Sequence, residues 1–432
     1  MHDQPGNVWS ASAIMIAAVI GSGILPLAWA LAQLGWITGP LVFLFFFFSA
    51  TVSTSVLLSA CYQSLEPQRR QNTYEDAVRT FLGERHVVMY RIVNGLNLFG
   101  MAIGDIIASF LSVMSIMTFH CFQVDHGKCH MNRITFMLAT GFFQVLLSQI
   151  PEFAKLWQLF YIEPFLSCVY STFLIALGIA KISETGEFRG SPTGISIGRV
   201  TLFEKISRTF LAVADIAFAF RAYANAIFEV QDKVESPPLG LEKMKKAIMI
   251  SSAFMTFLYL LCSCLSYAAF GDHSTPRDLL ADFGFGFNNP YNWLLVTANV
   301  ALVIQCVGAY QVHSRALSDV IEAAVTKRFR FKLNCFRLVW RTVFAVTTTL
   351  ISMGLPFFND VVGLIGALGF WPLTVYFPVQ IYIKQKGITK WSTKWMLLQI
   401  LSVLCFIITI AGAAGSVAGF VLDLEKPVKK ND

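Results

Sequence analysis

Charged residues are scarce in this chain. Asp, Glu, Lys and Arg make up 14% of its 432 residues, whereas a soluble domain carries about 25%. Hydrophobic residues make up 55%, and Phe alone occurs 39 times, four of them consecutively at 45–48. A soluble core could not bury so much apolar surface, and no polar stretch is long enough for a separate soluble domain. The composition therefore predicts a protein embedded in lipid.

Motifs of several functional classes are also missing. The sequence has no P-loop for ATP-driven work and no Ser/His/Asp arrangement typical of a hydrolase, so we expect no enzyme and no bound cofactor. We expect no metal site either, although His120, His126, Cys129 and His130 lie close together in sequence. The net charge of +7 does not indicate nucleic acid, because Lys and Arg lie in short loops between apolar runs. The N-terminus lacks the basic region of a cleavable signal peptide.

The apolar runs divide the chain into membrane spans. A helix needs about 20 apolar residues to cross the hydrocarbon core, and these runs lack the alternating polarity of barrel strands. The sequence predicts an all-α membrane protein with eleven transmembrane helices in one domain (9–422), between a short cytoplasmic N-terminus (1–8) and a C-terminal tail (423–432). The predicted spans are 9–34, 39–64, 88–118, 134–150, 154–180, 207–230, 247–271, 291–324, 338–357, 361–383 and 396–422.

Basic residues predict the orientation. If the N-terminus is inside, Lys and Arg are more frequent in inner loops than in outer ones, which favours a cytoplasmic N-terminus and an extracellular C-terminus. The basic loop at 181–206 is the exception. Cys121 and Cys129 then lie outside in an oxidising setting, where we predict a disulfide between them. Two free thiols at a helix end are the alternative.

The first span is interrupted near its middle by Gly21, Ser22 and Gly23. The glycines weaken the helix, and Pro26 suits the first turn of a restarted one. Such a break exposes N–H groups and a positive dipole end, both suited to a substrate carboxylate. We therefore predict that Ile20 and these three residues bind substrate. Close packing of helices through small residues is the alternative.

The sixth span carries Asp215 and Arg221 at membrane depth, beside Phe218 and Phe220. The first and sixth spans begin two five-helix halves, and paired interruptions at such positions indicate a midplane site. We predict that Phe218, Phe220 and Arg221 line this site and that Asp215 carries a coupled proton. Fixing the sixth span by hydrogen bonds is the alternative role of Asp215.

Polar residues on other spans complete the predicted site. Asn97 and Asp105 lie on the third span and Gln305 on the eighth. Each could bind substrate or simply bridge helices. An isolated charge at this depth costs at least about 2.5–3.5 kcal/mol, so the sequence predicts that Asp105 pairs with Arg221, directly or through water. A pair between Arg221 and Asp215 is the alternative.

Several motifs resemble those of the plant amino acid permeases, which belong to the amino acid/auxin permease family. The resemblance runs from about residue 8 to 424. It is carried by AVIGSGILPLAWA (18–30), AQLGW (32–36), TYEDAV (73–78), LNLFG (96–100), SQIP (148–151), TGISIG (193–198), LPFFNDVVG (355–363) and WPLTVYFP (371–378).

The resemblance implies an eleven-span proton/amino acid symporter of the plasma membrane. It implies the leucine-transporter fold, which is an inverted repeat of five plus five helices with one more helix. The chain departs from the family pattern, which commonly has histidine at Ile14 and Gln305, tyrosine at Asp105, and small or aromatic residues near Arg221. These departures put proton coupling and substrate range in doubt. The alternatives are a non-transporting amino acid sensor, a carrier of another organic acid such as an auxin-like compound, and an inactive paralogue.

Overall fold

The computed structural model describes residues 8–63, 73–124, 132–150, 159–195, 200–223, 241–273, 291–328, 333–355 and 357–425. Apart from a bridge residue at Val200, regular structure in these ranges is helical. The α-helices are α1 (Val8–Val19), α2 (Leu27–Gln63), α3 (Tyr74–Leu82), α4 (Glu84–Val124), α5 (Arg133–Ser148), α6 (Leu159–Thr185), α7 (Leu202–Phe220), α8 (Leu241–Phe270), α9 (Asn292–Arg328), α10 (Leu333–Gly354), α11 (Phe358–Gly369), α12 (Phe377–Gln385) and α13 (Thr393–Glu425).

Seven segments of the described chain are long and apolar enough to cross a membrane. They are Leu27–Leu57, Glu84–Cys121, Pro164–Thr185, Glu242–Phe270, Asn292–Glu322, Phe358–Gln385 and Thr393–Leu422. The prediction of a helical membrane protein is therefore confirmed. The number of eleven spans and the domain boundaries stay predictions.

The predicted interruption of the first span is confirmed. Helix α1 ends at Val19, a 3₁₀ turn covers Ser22–Ile24, and α2 begins at Leu27. Two buried tyrosines donate to backbone carbonyls at the break. The Tyr170 hydroxyl of α6 lies 2.5 Å from the Gly21 oxygen, and the Tyr259 hydroxyl of α8 lies 3.4 Å from the Val19 oxygen. These bonds stabilise the break, because an unpaired buried carbonyl is costly.

A single residue replaces the loop that the sequence predicts between the first two spans. Gly35 has φ 79° and ψ 177° inside α2, which therefore runs on through a sharp bend. A side chain at Gly35 would meet the backbone, since a Cβ there would lie 2.2 Å from the Gly194 nitrogen. Residues 191–195 fill the bend, and the N–H of Trp36 donates to the Ser191 oxygen at 3.1 Å.

The sixth-span helix α7 ends at Phe220, inside the predicted span 207–230, and Tyr223 is again helical, so the predicted boundary at residue 230 stays a prediction. Residues 224–240 lie outside the described ranges. The free carbonyl of Arg221 accepts a hydrogen bond from the Thr374 hydroxyl at 2.8 Å. Thr374 belongs to a π-helix (Phe370–Tyr376) that joins α11 to α12. The tenth predicted span therefore stabilises the end of the sixth-span helix.

Helix α3 lies outside the predicted spans and is held to the start of α4 by charge. Glu75 forms ion pairs with Arg79 at 2.7 Å and with Arg91 of α4 at 2.6 Å. The hydrogen bond from Arg91 is the main reason that the pKa of Glu75 is lowered from its ordinary value. At the other end of α4, Cys121 is disulfide-bonded. Its predicted partner Cys129 lies outside the described residues, so the pairing itself stays a prediction.

Candidate binding cavity at the broken helix

A cavity of about 270 Å³ lies where the broken first span meets α4, α7 and α9. This volume is near the lower end of the roughly 300–1,000 Å³ common for small-molecule sites. The wall is mostly apolar with a few polar side chains. It consists of Val19, Ile20, Gly21, Gly23, Asn94, Asn97, Leu98, Met101, Asp105, Phe218, Ala219, Arg221, Ala222, Gln305, Cys306, Ala309, Val312, His313, Ala316 and Leu373.

The two glycines of the break differ in their surroundings. A Cβ on Gly21 would meet no atom within 4 Å, whereas a Cβ on Gly23 would lie 3.3 Å from the Ala219 Cα of α7. Gly23 therefore allows close packing against α7, which is the role that the alternative interpretation gives to the small residues of this motif. Gly21 leaves open space beside the backbone. Ser22 belongs to the 3₁₀ turn, but its side chain lies outside the described part of the structure.

Asp105 and His313 form a hydrogen-bonded pair in the cavity wall. The Nδ1 of His313 donates to Oδ2 of Asp105 over 2.8 Å. The Asp105 side chain is 3% exposed and that of His313 is 19% exposed. Asp105 bonds to α9 and forms no ion pair with Arg221, so the predicted direct pair is wrong, whereas a pair through water stays a prediction.

Arg221 caps the end of α7 and extends its guanidinium along the cavity wall. One Nη donates to the amide oxygen of Asn97 at 3.2 Å, and the other contacts the sulfur of Met101. The guanidinium carbon lies 4.3 Å from the centre of the Phe218 ring. The Nε is buried and has no hydrogen-bond partner among the described residues. All of these contacts are with neutral groups, so the alternative pair with Asp215 is also wrong.

Gln305 contributes an unused acceptor. It is 3% exposed and lines the cavity. Its side-chain oxygen is buried and bonds to no group in the described part of the chain. A buried carbonyl oxygen without a donor is unusual in a native structure, so this oxygen is available to a bound ligand.

Two predicted site residues lie outside the cavity. Phe220 is fully buried and packs against Phe43 and Phe46 of α2, because the turn of the helix directs it away from the face that carries Phe218. Asp215 is also fully buried, and one of its oxygens lies 3.5 Å from the amide nitrogen of Asn359 on α11. The other oxygen has no partner among the described residues.

His313 is a cavity residue that the sequence motifs did not predict. The signal that would have found it is spacing: His313 follows Gln305 by eight residues, about two helical turns, so the two share a helix face. A titratable side chain on the same face as a predicted ligand is a candidate for the same cavity.

Comparisons with known proteins agree with this architecture. The family described as Transmembrane amino acid transporter protein matches residues 4–422. Amino acid permease 3 of Arabidopsis thaliana is 52% identical over 446 residues, which cover 98% of this chain and 92% of the relative. Amino acid permease 2 of the same plant is 48% identical over 451 residues, covering 99% and 90%.

Two solved structures share the fold at low sequence identity. The inward-facing conformation of Mhp1 matches with a TM-score of 0.55 and 12% identity, covering 97% of this chain and 90% of that one. The crystal structure of MhsT in complex with L-phenylalanine matches with a TM-score of 0.52 and 14% identity, covering 96% and 100%. Both have the leucine-transporter fold. The fold class expected from the sequence motifs is therefore confirmed, whereas the number of spans is not tested.

Proposed function

Because this chain belongs to the transmembrane amino acid transporter family, we propose that it carries amino acids across the plasma membrane by proton symport, through the cavity at the broken first span. The cavity at this break is the observation that supports the proposal most strongly. It combines a non-helical backbone with an unused acceptor and three titratable or charged side chains. The chain has no ATP-binding loop, so an ion gradient is the natural energy source.

The break would bind the substrate carboxylate. Helix α2 begins at Leu27, two residues beyond the 3₁₀ turn, and the start of a helix carries unpaired N–H groups and a partial positive charge. Gly21 and Gly23 line the cavity there. A side chain at Gly21 would occupy the open space that the ligand needs.

The substrate ammonium would lie against α9. The buried oxygen of Gln305 lacks a donor in the described structure, and an ammonium group supplies up to three donors. In this arrangement the first span and α9 hold the two groups that all α-amino acids share. The side chain of the substrate would then extend toward the remaining walls, which α4 and α7 form.

Two sites are candidates for the coupled proton. Asp215 is the one predicted from sequence, but it lies outside the cavity and is fully buried. The Asp105–His313 pair lies in the cavity wall, and histidine is the side chain whose charge changes most readily near neutral pH. We propose the pair as the coupling site and Asp215 as a second candidate. The excess of basic residues in inner loops supports a cytoplasmic N-terminus.

Uptake of labelled amino acids into transporter-deficient cells tests the proposal. We expect uptake that rises in acidic medium and collapses with a protonophore. Uptake that responds to neither treatment would refute proton coupling but leave amino acid transport intact. Binding to the purified protein without uptake in cells would favour an amino acid sensor. The residues Ile14 and Gln305, which depart from the family pattern, are the reason for testing this alternative.

A further inference from the structure

Arg221 is a cation in the cavity wall that forms no ion pair with any carboxylate of the described residues. Its guanidinium contacts an amide oxygen, a thioether sulfur and an aromatic ring. Its Nε is buried without an acceptor among the described residues. An arginine at membrane depth usually pairs with an acid or faces a functional cavity.

The nearby acid of the cavity is already engaged. Asp105 accepts a hydrogen bond from His313 and lies beyond 4.0 Å from the guanidinium, since no ion pair joins the two side chains among those of the described chain. Among the described residues, no other Asp, Glu or Lys lines the cavity. The guanidinium therefore offers a planar set of donors that matches a carboxylate arriving from outside the protein.

We propose that Arg221 binds the side-chain carboxylate of the substrate, so that this protein prefers acidic amino acids. The inference rests on the proposed function and names the substrate class of the same cavity. The α-carboxylate does not need Arg221, because the break at Gly21 and Gly23 provides N–H groups for it. Phe218 covers one face of the guanidinium, and a carboxylate would bind its edge in a two-point contact that replaces the contacts with Asn97 and the Met101 sulfur.

A purely structural role for Arg221 accounts less well for the contacts. A helix-bridging arginine satisfies its donors with carbonyls or acids, whereas this one leaves Nε without an acceptor in the described structure. The carbonyl of the same residue is fixed by Thr374. The main chain of Arg221 is thus held by the π-helix, while its guanidinium lies along the cavity wall.

Uptake of glutamate compared with glutamine tests the proposal, because the two differ by a carboxylate against an amide of the same shape. We expect wild-type cells to take up glutamate at least about tenfold more efficiently than glutamine, and lysine least well. Arg221→Gln should abolish that preference by losing glutamate uptake while retaining glutamine uptake. Arg221→Lys keeps the charge but not the two-point geometry, and should retain an intermediate preference.

Arg315→Gln is the matched control. Arg315 also lies on a membrane-depth helix, but it pairs with Asp319 at 3.0 Å and is absent from the cavity wall, so its loss should leave the glutamate/glutamine ratio unchanged. Surface abundance is measured for every variant, and ratios between substrates are independent of it.

Three results would overturn the inference. They are equal wild-type uptake of glutamate and glutamine, equal losses of both in Arg221→Gln, and retention of the full preference in that variant. Equal losses would assign Arg221 to the α-carboxylate or to folding. If wild-type cells take up no amino acid at all, the proposed function fails instead. Binding of glutamate against glutamine to the purified protein then decides the inference separately, with tenfold tighter glutamate binding expected.

Discussion

The Nδ1 of His313 lies 2.8 Å from Oδ2 of Asp105 and joins α9 to α4 across the cavity wall. Asp105 makes this bond in place of the direct ion pair with Arg221 that the sequence predicts. Asp105 is balanced by a histidine that can gain or lose a proton, whereas Arg221 remains beside neutral groups. The cavity therefore holds a fixed cation and a titratable pair.

A double-mutant cycle should detect the Asp105–His313 pair. We expect Asp105→Asn and His313→Gln each to lower the midpoint of heat denaturation, with a coupling free energy of about 1.5–3 kcal/mol for a bond to a charged group. The cycle of Asp105→Asn with Arg221→Gln should show much smaller coupling. If the second cycle gives the larger coupling, the charges pair as the sequence predicts and not as the structure has them.

The features that the sequence could predict are those with a local chemical signature. Apolar runs predict helices, and the glycines at 21 and 23 with Pro26 predict a break, because helix propensity acts over a few residues. Partners such as Asp105 and His313 are 208 residues apart, and only the packing of α4 on α9 brings them together. The end of α7 at Phe220 likewise depends on a distant residue, because the hydroxyl of Thr374 in the π-helix donates a hydrogen bond to the Arg221 carbonyl. The sequence of the sixth span alone therefore does not predict where α7 ends.

The two glycines of the break should respond differently to substitution. Gly21→Val places a branched side chain in open space, so we expect transport to be lost while abundance and thermal stability are retained. Gly23→Val presses on the Ala219 backbone, so it should lower both stability and transport. Gly354→Val is the control, because a Cβ at that exposed helix end meets no atom within 4 Å. Normal substrate affinity in Gly21→Val would show that this glycine does not approach the ligand.

The contact of α3 with α4 should depend on pH. The pKa of Glu75 is lowered from its ordinary value of 4.5, chiefly by the hydrogen bond from Arg91. A lowered pKa in the folded state stabilises the fold above the unfolded-state pKa, and this contribution is lost as the pH falls through the folded-state value. We expect Glu75→Gln to cost up to about 1 kcal/mol at neutral pH and nothing once wild-type Glu75 is itself protonated.

Thermal denaturation in detergent at neutral pH and below pH 4.5 measures this difference. Glu84→Gln is the comparison variant, since Glu84 is 74% exposed and pairs only with Arg79 among the described side chains. An equal effect of the two substitutions at both pH values would contradict the role of Glu75.

A disulfide should link Cys121 to Cys129. Cys121 is disulfide-bonded at the end of α4, and Cys129 lies eight residues further along the chain. Peptide mass spectrometry without reduction should recover the two cysteines in one linked species. Recovery of Cys121 linked to another cysteine, or of a free Cys129 thiol, would contradict the pairing.

The coupled proton can be assigned by its effect on pH dependence. With neutral His313, the charges of Asp105 and Arg221 cancel, and an acidic substrate side chain would leave one net negative charge in the cavity. A proton on the Asp105–His313 pair restores neutrality. Acid should therefore stimulate uptake of glutamate more strongly than uptake of glutamine.

Three variants distinguish the two candidate sites for that proton. His313→Gln should make uptake insensitive to pH, because it removes the ring that donates to Asp105 in the cavity wall. Asp105→Asn should have the same effect. Asp215→Asn should lower abundance but retain acid stimulation, since Asp215 lies against Asn359 and outside the cavity. Each 100 mV of membrane potential adds about 2.3 kcal/mol per net charge moved. Glutamine with one proton carries a net positive charge, so its accumulation in a polarised cell reports the same loss independently. Acid stimulation that persists in His313→Gln and disappears in Asp215→Asn would assign the proton to Asp215, and the Asp105–His313 pair would then be a helix contact alone.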